Sequence, residues 1–508
     1  MKAEVNLFHE RFLGSLSRAS IDAAMRKVAI GLALFLALLG GWVFQQLQPP
    51  KSARTAADDF VLTDVTVIEP TLSRDPKATL RVVNGRIQRG SERIGGAMAF
   101  PDLSHTYVLP GLVDMHAHLP PDTPLKLSGY YSLLFLAHGV TTIRDAGDPD
   151  GTAVPAAREG IEDGEFAGPR IVSCGPFVAG AEPRRWPNTE IVDEPQDAER
   201  IASALVQAGH SCIKAYEDLS VEKIEALKAA AARHGLRVIG HVPSQLSYEE
   251  ALIPDVQHFF GVPRAESLKR DHVLNRIADW QDVDDARLEL IVQTTLEHGI
   301  INTPTLVSSH RLLLYRDYEA AKNDRAVVLL PRIFPDVVWN PVSGIPYWKE
   351  IGDFLPSLEE ALTKKLDLVV RLYHAGAKVQ LGTDTQQPFV VPGASLQEEM
   401  LLFVQAGIPL EEVWAMATWK QGQTLMPDLG RLTDGAPADL LVFREDPTQS
   451  LEALGTLVAV VARGKLYLRD EVDRTVERYR THFRGGLVDK ISLPIARRKV
   501  KQSVLRDY

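Results

Sequence analysis

Six residues of this chain are of types that bind a cation or move a proton, and they recur at comparable stations. His116 and His118 are separated by one residue. Along a strand, positions i and i+2 share a face, so both imidazoles can point at one ion. Such a pair alone is weak evidence, because histidines also pack in strands. Lys214 stands inside the apolar run SCIKAY, where the plain reading is a strand-end ion pair or a snorkelling surface lysine. His241 closes LRVIGHV, His258 lies in DVQHFF and Asp384 ends LGTD. Any one of them would more often be structural. Together they set four histidines, a lysine and an aspartate at the ends of five short apolar runs, which chance rarely supplies. Tyr216 is two residues beyond Lys214 on the same strand face. It is a candidate for binding a carbonyl oxygen, with core packing as the rival role.

The segments carrying these residues alternate strand and helix patterns. Eight apolar runs can be read: YVLPGLVDMHAH, GVTTIRDAG, PRIVSCG, SCIKAY, LRVIGHV, DVQHFF, GIINTPTL and AKVQLGTD. Between two of them Ser220 is a good N-cap, Ile224, Leu227 and Ala231 share a helical face, and Gly235 ends the helix. This order predicts an α/β protein with a (β/α)8 TIM-type barrel, whose chemistry sits at the C-terminal ends of its strands. A doubly wound open sheet would want a Gly-rich phosphate loop after its first strand, and none is present. On either side lie β-type segments, FVLTDVTVI and ATLRVVNGRI before, ADLLVF and LVAVVARGKLYL after, with turn signals at Asn84-Gly85 and Arg463-Gly464. They predict one small β-sandwich built from both flanks of the chain.

The motifs resemble the amidohydrolase superfamily of metal-dependent hydrolases, nearest its prolidase-like and Xaa-dipeptidase-like branch with a carboxylated lysine. VLPGLVDMHAHL (108–119) looks like the strand-one signature, and GVTTIRDAG, IKAYEDLS, GHVP, VQHFFG and LGTDT match further stations. GRLTDGAPADLLVF (430–443) resembles the return to the family's β-sandwich. The resemblance spans roughly residues 60–468. It implies a binuclear site: His116, His118 and Asp384 around the more buried ion, His241 and His258 around the other. Lys214 would bridge them as a carbamate formed with carbon dioxide. Imidazole and carboxylate suit zinc, with manganese, iron or cobalt as alternatives. Asp384 would accept the proton of the attacking hydroxide and pass it to the leaving amine. Two departures stand out: Val256-Gln257 where an acidic residue commonly precedes the histidine, and WKQG (419–422) where related chains often read NPA. The latter is read as affecting a helix start only.

The first fifty residues are a different material. Val28 to Phe44 carry no charge, and five basic residues against three acidic ones precede them. The reading is a cytoplasmic segment 1–27, a transmembrane anchor 28–48 and a linker 49–58, with a cleaved signal peptide as the rival. Sandwich segments at 59–107 and 428–484 would enclose a barrel at 108–427, and 485–508 would be a solvated basic tail. The catalytic part would then be extracytoplasmic, periplasmic in a Gram-negative cell. Net charge is -10 across 508 residues, which argues against nucleic acid as a partner. A small-molecule substrate and the membrane are the expected partners, and a homo-oligomer is left open. The two cysteines, Cys174 and Cys212, form no framework and read as buried thiols, with a pair as the alternative.

Three regions are expected around the substrate. Arg184, Arg185 and Trp186 follow the third run, and residues 308–354 are long enough for a substrate wall carrying Trp339, Tyr347 and Trp348. Arg144 could steer a carboxylate or pair with Asp145. The leading function is hydrolysis of an amide bond in a dipeptide or small N-acyl compound. Cyclic amides, lactones, other esters and phosphotriesters stay open, because one hydroxide can attack them all. Deamination of heterocycles is less favoured, since no glutamate follows His241 in HVPSQ. An inactive barrel used as a scaffold is opposed by the complete ligand set.

Overall fold

The computed structural model describes residues 18–69, 73–90, 98–180, 186–264, 273–345 and 348–504. Two compact units are distinguished, Met1–Pro49 and Pro50–Tyr508. Among the described residues the first contains one helix, Arg18–Leu47. Within its stretch Asp22–Leu47 an 18-residue window reaches mean hydropathy 2.1, and the stretch is long and apolar enough to cross a bilayer, at about 39 Å for ~1.5 Å per residue.

In the second unit the two flanks of the chain form one sheet. Strands β1 (Phe60–Ile68), β2 (Arg74–Val83), β3 (Arg86–Arg89), β4 (Met98–Ala99) and β5 (Tyr107–Pro110) come from the N-terminal side. Strands β15 (Leu440–Phe443), β16 (Leu457–Ala462) and β17 (Lys465–Leu468) come from the C-terminal side. Their order is β17-β16-β15-β5-β1-β2-β3, with β4 on β1, so the expected sandwich is a single hydrogen-bonded sheet. Its core draws Phe60, Leu62, Val82 and Ile87 from one flank and Leu440, Val442, Val461 and Leu466 from the other. Both turn signals hold. Asn84 and Gly85 have φ 51° and 72°, and Arg463 and Gly464 have φ 55° and 81°, values the twist of a two-residue hairpin requires. The two turns meet glycine to glycine. A Cβ on Gly464 would lie 2.2 Å from the Gly85 Cα, so neither flank completes this sheet alone.

The first apolar run is two strands. Gly111 separates β5, which joins the flank sheet, from β6 (Leu112–Ala117), which pairs in parallel with β7 (Val140–Asp145) and β7 with β8 (Arg170–Ser173). The other parallel strands are β9 (Phe177–Ala179), β10 (Thr189–Ile191), β11 (Cys212–Ala215), β12 (Arg237–Gly240), β13 (Asp255–Gln257) and β14 (Ile301–Thr303), in the order β10-β9-β11-β12-β13-β14. The expected eighth strand, AKVQLGTD, is irregular and makes a single bridge, Asn302 to Val379. Leu381 N–H is diverted to Gln421 Oε1, and Thr383 N–H is shared between the His116 carbonyl at 3.0 Å and Asp114 Oδ1 at 3.1 Å. It still lies between its two neighbours. Gln380 N–H donates to the Asn302 carbonyl at 2.8 Å, and Met115 N–H to the Leu381 carbonyl at 3.1 Å.

Helices follow the local signals. Ser220 Oγ accepts from Lys223 N–H and Gly235, at φ 66°, ends the helix Val221–His234. Three further expectations change. Cys174 and Cys212 are joined in a disulfide and are not thiols. The stretch Arg469–Phe483, assigned to the sandwich, is a helix. The supposed basic tail is helical over Leu487–Val504, with Val488, Asp489 and Leu493 buried. Asp489 binds Arg332 at 3.2 Å and accepts from Gly485 N–H, which fastens the segment down.

Candidate metal centre

The six sequence-derived stations converge at the C-terminal ends of the parallel strands. His116 is the penultimate residue of β6 and Lys214 of β11, while His241 and His258 directly follow β12 and β13. Asp384 and His258 have φ 57° and 62°, unusual for residues with a Cβ. Tertiary hydrogen bonds hold both there. Asp384 N–H donates to the His116 carbonyl at 2.7 Å, and His258 N–H to the Thr303 carbonyl at 3.0 Å.

One nitrogen of every histidine is taken by a fixed partner. His116 Nδ1 meets Gln257 Oε1 at 2.5 Å and His118 Nδ1 the Gly147 carbonyl at 2.7 Å. His241 Nδ1 meets Glu217 Oε1 at 3.2 Å, and His258 Nδ1 meets Thr305 Oγ1 at 2.7 Å. An imidazole donating from Nδ1 turns the Nε2 lone pair to the other side, the arrangement that readies a metal ligand. The Nε2 atoms of His116 and His118 are 3.3 Å apart. Asp384 Oδ1 is 3.6 and 3.4 Å from them. Two ligands ~2.1 Å from a tetrahedral ion stand about 3.4 Å apart. Lone pairs facing each other at that distance repel unless a cation or proton lies between them. His258 also joins this group, for ligand atoms of His116, His258 and Asp384 lie within 4.8 Å of one another. The expected division into two ligand sets is therefore not drawn by distance.

Lys214 is 1% exposed, and its Nζ hydrogen-bonds to none of the described residues. Burial pushes its ammonium down to about 7, with Asp384 pulling the other way. Burial and the positive charge of Lys214, His258 and His118 hold His116 well below the usual imidazole range. Burial would raise the Asp384 carboxyl, but His258, His118 and Lys214 outweigh it and hold it down. An unpartnered buried amine beside these nitrogens and a carboxylate fits a divalent ion centre completed through Lys214.

The centre opens into a cavity of about 350 Å³, a size suited to a small ligand. Tyr216 lines it, its ring 4.6 Å from that of His241, and its hydroxyl accepts from Trp186 Nε1 at 3.3 Å. Trp186 thus joins the wall as expected, whereas Arg184 and Arg185 lie outside the described residues. From the long segment Ser308, Ser309, Leu312, Trp339 and Trp348 line the cavity, and Tyr347 is outside the described residues. Arg144 is not a ligand-steering residue and does not pair with Asp145. It is buried against Asp255 at 2.6 Å and the Met115 carbonyl at 2.7 Å. Sequence reasoning missed Glu217, Thr305, Arg276 and Lys365. It noticed Gln257 and the WKQG segment only as departures. Gln257 orients His116, and Gln421 stitches Leu381 to the Val113 carbonyl, so that segment does more than start a helix.

With the geometry in place, similarity can be judged. The sequence model described as "Amidohydrolase family" matches residues 107–467. An uncharacterized protein of Mycobacterium tuberculosis H37Rv is 24% identical over 408 residues, 76% of this chain and 91% of that protein. Adenine deaminase of Lysinibacillus sphaericus is 33% identical over 106 residues, 20% of this chain and 17% of the other. Among solved structures, bottromycin amidohydrolase superposes with TM-score 0.64 at 23% identity, covering 86% of this chain and 92% of that one. A Xaa-Pro dipeptidase with bound methionine gives TM-score 0.58 at 18% identity, over 81% and 100%. These likenesses imply a TIM-type barrel for the parallel-stranded region.

Proposed function

Since the chain belongs to the amidohydrolase family and is a metal-dependent hydrolase acting on amide bonds, we propose that it cleaves a dipeptide or small N-acyl compound outside the cytoplasm while tethered by its N-terminal helix. The observation that carries this reading is the inward-facing His116–His118–Asp384 cluster beside the unpartnered Lys214, on the floor of an apolar cavity. His116, His118, His241, His258 and Asp384 would hold two divalent ions, zinc by donor type. Lys214 would join as a carbamate: its Nζ lone pair forms a bond to carbon dioxide, one C=O π pair moves to oxygen, and a proton leaves the nitrogen. Bound there, the ions would supply a water acidified to hydroxide at neutral pH and a polarised carbonyl.

The chain's own residues do the rest. Gln257, Gly147, Glu217 and Thr305 keep the four rings oriented. The Asp384 carboxylate takes the proton of the attacking water and delivers it to the leaving nitrogen. Tyr216, on the cavity wall, binds the carbonyl oxygen of the substrate. Phe177, Trp186 and Phe260 keep water from the rest of it. The Cys174–Cys212 disulfide supports an oxidising location, hence the extracytoplasmic side.

Metal content tests the centre. The full chain in detergent, produced with zinc and bicarbonate, should carry about two ions, and Lys214→Ala should lose at least one. One ion, indifferent to Lys214, would instead favour a mononuclear aminohydrolase. No ion on a folded chain would overturn the mechanism.

A further inference from the structure

Among the described residues three lysine or arginine side chains line the cavity: Lys214, Arg276 and Lys365. Lys214 belongs to the centre. Arg276 is neutralised by Glu217, donates to the Val242 carbonyl and stacks 4.1 Å over the Phe260 ring. Lys365 differs from both. It projects from the helix Ile351–His374 and is 1% exposed. Its Nζ donates to Ser309 Oγ at 2.9 Å and to the Ile277 carbonyl at 3.1 Å, and sits 5.4 Å from the Trp280 ring centroid. All of these are neutral. Among the described residues no carboxylate lies within ion-pair distance of it. An ammonium has three donors, and the two neutral acceptors use two of them. A buried cation without a counter-charge is costly, and a chain otherwise replaces it with an apolar residue. Burial alone lowers this lysine to about 7, as expected where nothing negative faces it. An anion arriving in the cavity would supply the missing charge and take the third donor.

The surroundings define that anion. Lys365 lines the same cavity as His258, Lys214 and Asp384, so it faces the pocket into which the centre opens. The same cavity is lined by the apolar side chains of Ile277, Leu312 and Trp339. One ammonium and one hydroxyl suit a single carboxylate better than a multiply charged group. Resting on the amide-hydrolase reading above, we propose that Lys365 and Ser309 form the substrate's carboxylate anchor. The pocket then selects N-acyl amino acids or dipeptides with a free C-terminal carboxylate and an apolar side chain over the same amides capped as carboxamides.

The test compares N-acetylphenylalanine with N-acetylphenylalaninamide. Binding is measured by calorimetry on the full, metal-loaded chain carrying Asp384→Asn, with and without Lys365→Met. The carboxylate should bind at least tenfold more tightly than the amide, and Lys365→Met should abolish that preference while leaving amide binding in place. Should Lys365→Met fail to fold, Ser309→Ala decides, with a several-fold loss of preference expected. Equal binding of both compounds, or a preference surviving these changes, overturns the anchor. Turnover by the unsubstituted chain separates the two readings. Cleavage of both compounds at equal rates sinks the anchor alone. Anchored binding with no cleavage of any amide sinks the amide-hydrolase reading and leaves the anchor standing.

Discussion

Asp384 touches two histidines through one oxygen and approaches a third through the other, at 3.9 Å from His258 Nδ1. Its carboxylate is therefore a ligand candidate and, on the proposed mechanism, the base for the attacking water. An amide in its place keeps one carbonyl oxygen but cannot accept a proton. Asp384→Asn should keep much of the metal while losing ~10²-fold or more in turnover, the usual scale of acid–base assistance. Metal analysis and steady-state kinetics on one preparation would check this, and a near-normal rate would remove Asp384 from proton transfer. Gln257 shows how a departure at one position is absorbed. It spans from His116 Nδ1 to the Asp255 carboxylate, its Nε2 donating at 2.5 Å, so a neutral amide relays the negative charge of its neighbour.

At the scale of elements, His258 depends on a chain of supports. Thr305, which holds its ring, precedes the helix Leu306–Leu312. The first amides of that helix donate to Glu399, from Leu306 at 3.0 Å and Val307 at 2.6 Å. Glu399 lies on the helix Ala394–Gln405 and is fully buried. Burial pushes its carboxyl up to about 8, against the two N–H groups that pull it down. The folded chain thus keeps a proton that the unfolded chain releases at the ordinary carboxylate pKa. The stabilisation is complete below that range and is lost as pH rises toward about 8. The melting temperature relative to Glu399→Gln should accordingly fall from pH 5 to pH 8, equivalent to a few kcal/mol, roughly. A difference that stays flat would mean the carboxylate is ionised throughout, held by the helix amides.

For the whole molecule, the question is where the catalytic unit works. The helix Arg18–Leu47 exposes large apolar side chains, Leu38 at 74% and Phe44 at 66%. At about 25 cal/mol per Å² such a surface is costly in water and favourable in lipid. The full chain should remain in the membrane pellet through an alkaline carbonate wash. Release into the soluble fraction would mean that the segment is cleaved or packed against protein.

Local chemistry wrote much of this protein into its sequence. Asn84-Gly85 and Arg463-Gly464 place hairpins because only certain residues tolerate positive φ in succession. Ser220 and Gly235 bound a helix because an orphan amide and a left-handed turn need those residue types. That His116, His118, Lys214, His241, His258 and Asp384 end strand-like runs was legible because short apolar runs and their polar ends are local features of the chain. What needed the tertiary structure were partners that distance along the chain conceals. Cys174 and Cys212 are 38 residues apart and meet only because β8 and β11 bring their ends together. Gln257, Glu399 and Gln421 acquire their roles from groups far away in sequence. Leu487–Val504 reads as polar tail because its anchor, Arg332, lies elsewhere in the chain. Lys365 stands in a helix whose pattern is ordinary, and only burial without a counter-charge distinguishes it. Periodicity and turn chemistry act over a few residues, whereas desolvation and charge pairing depend on everything the fold packs around a group.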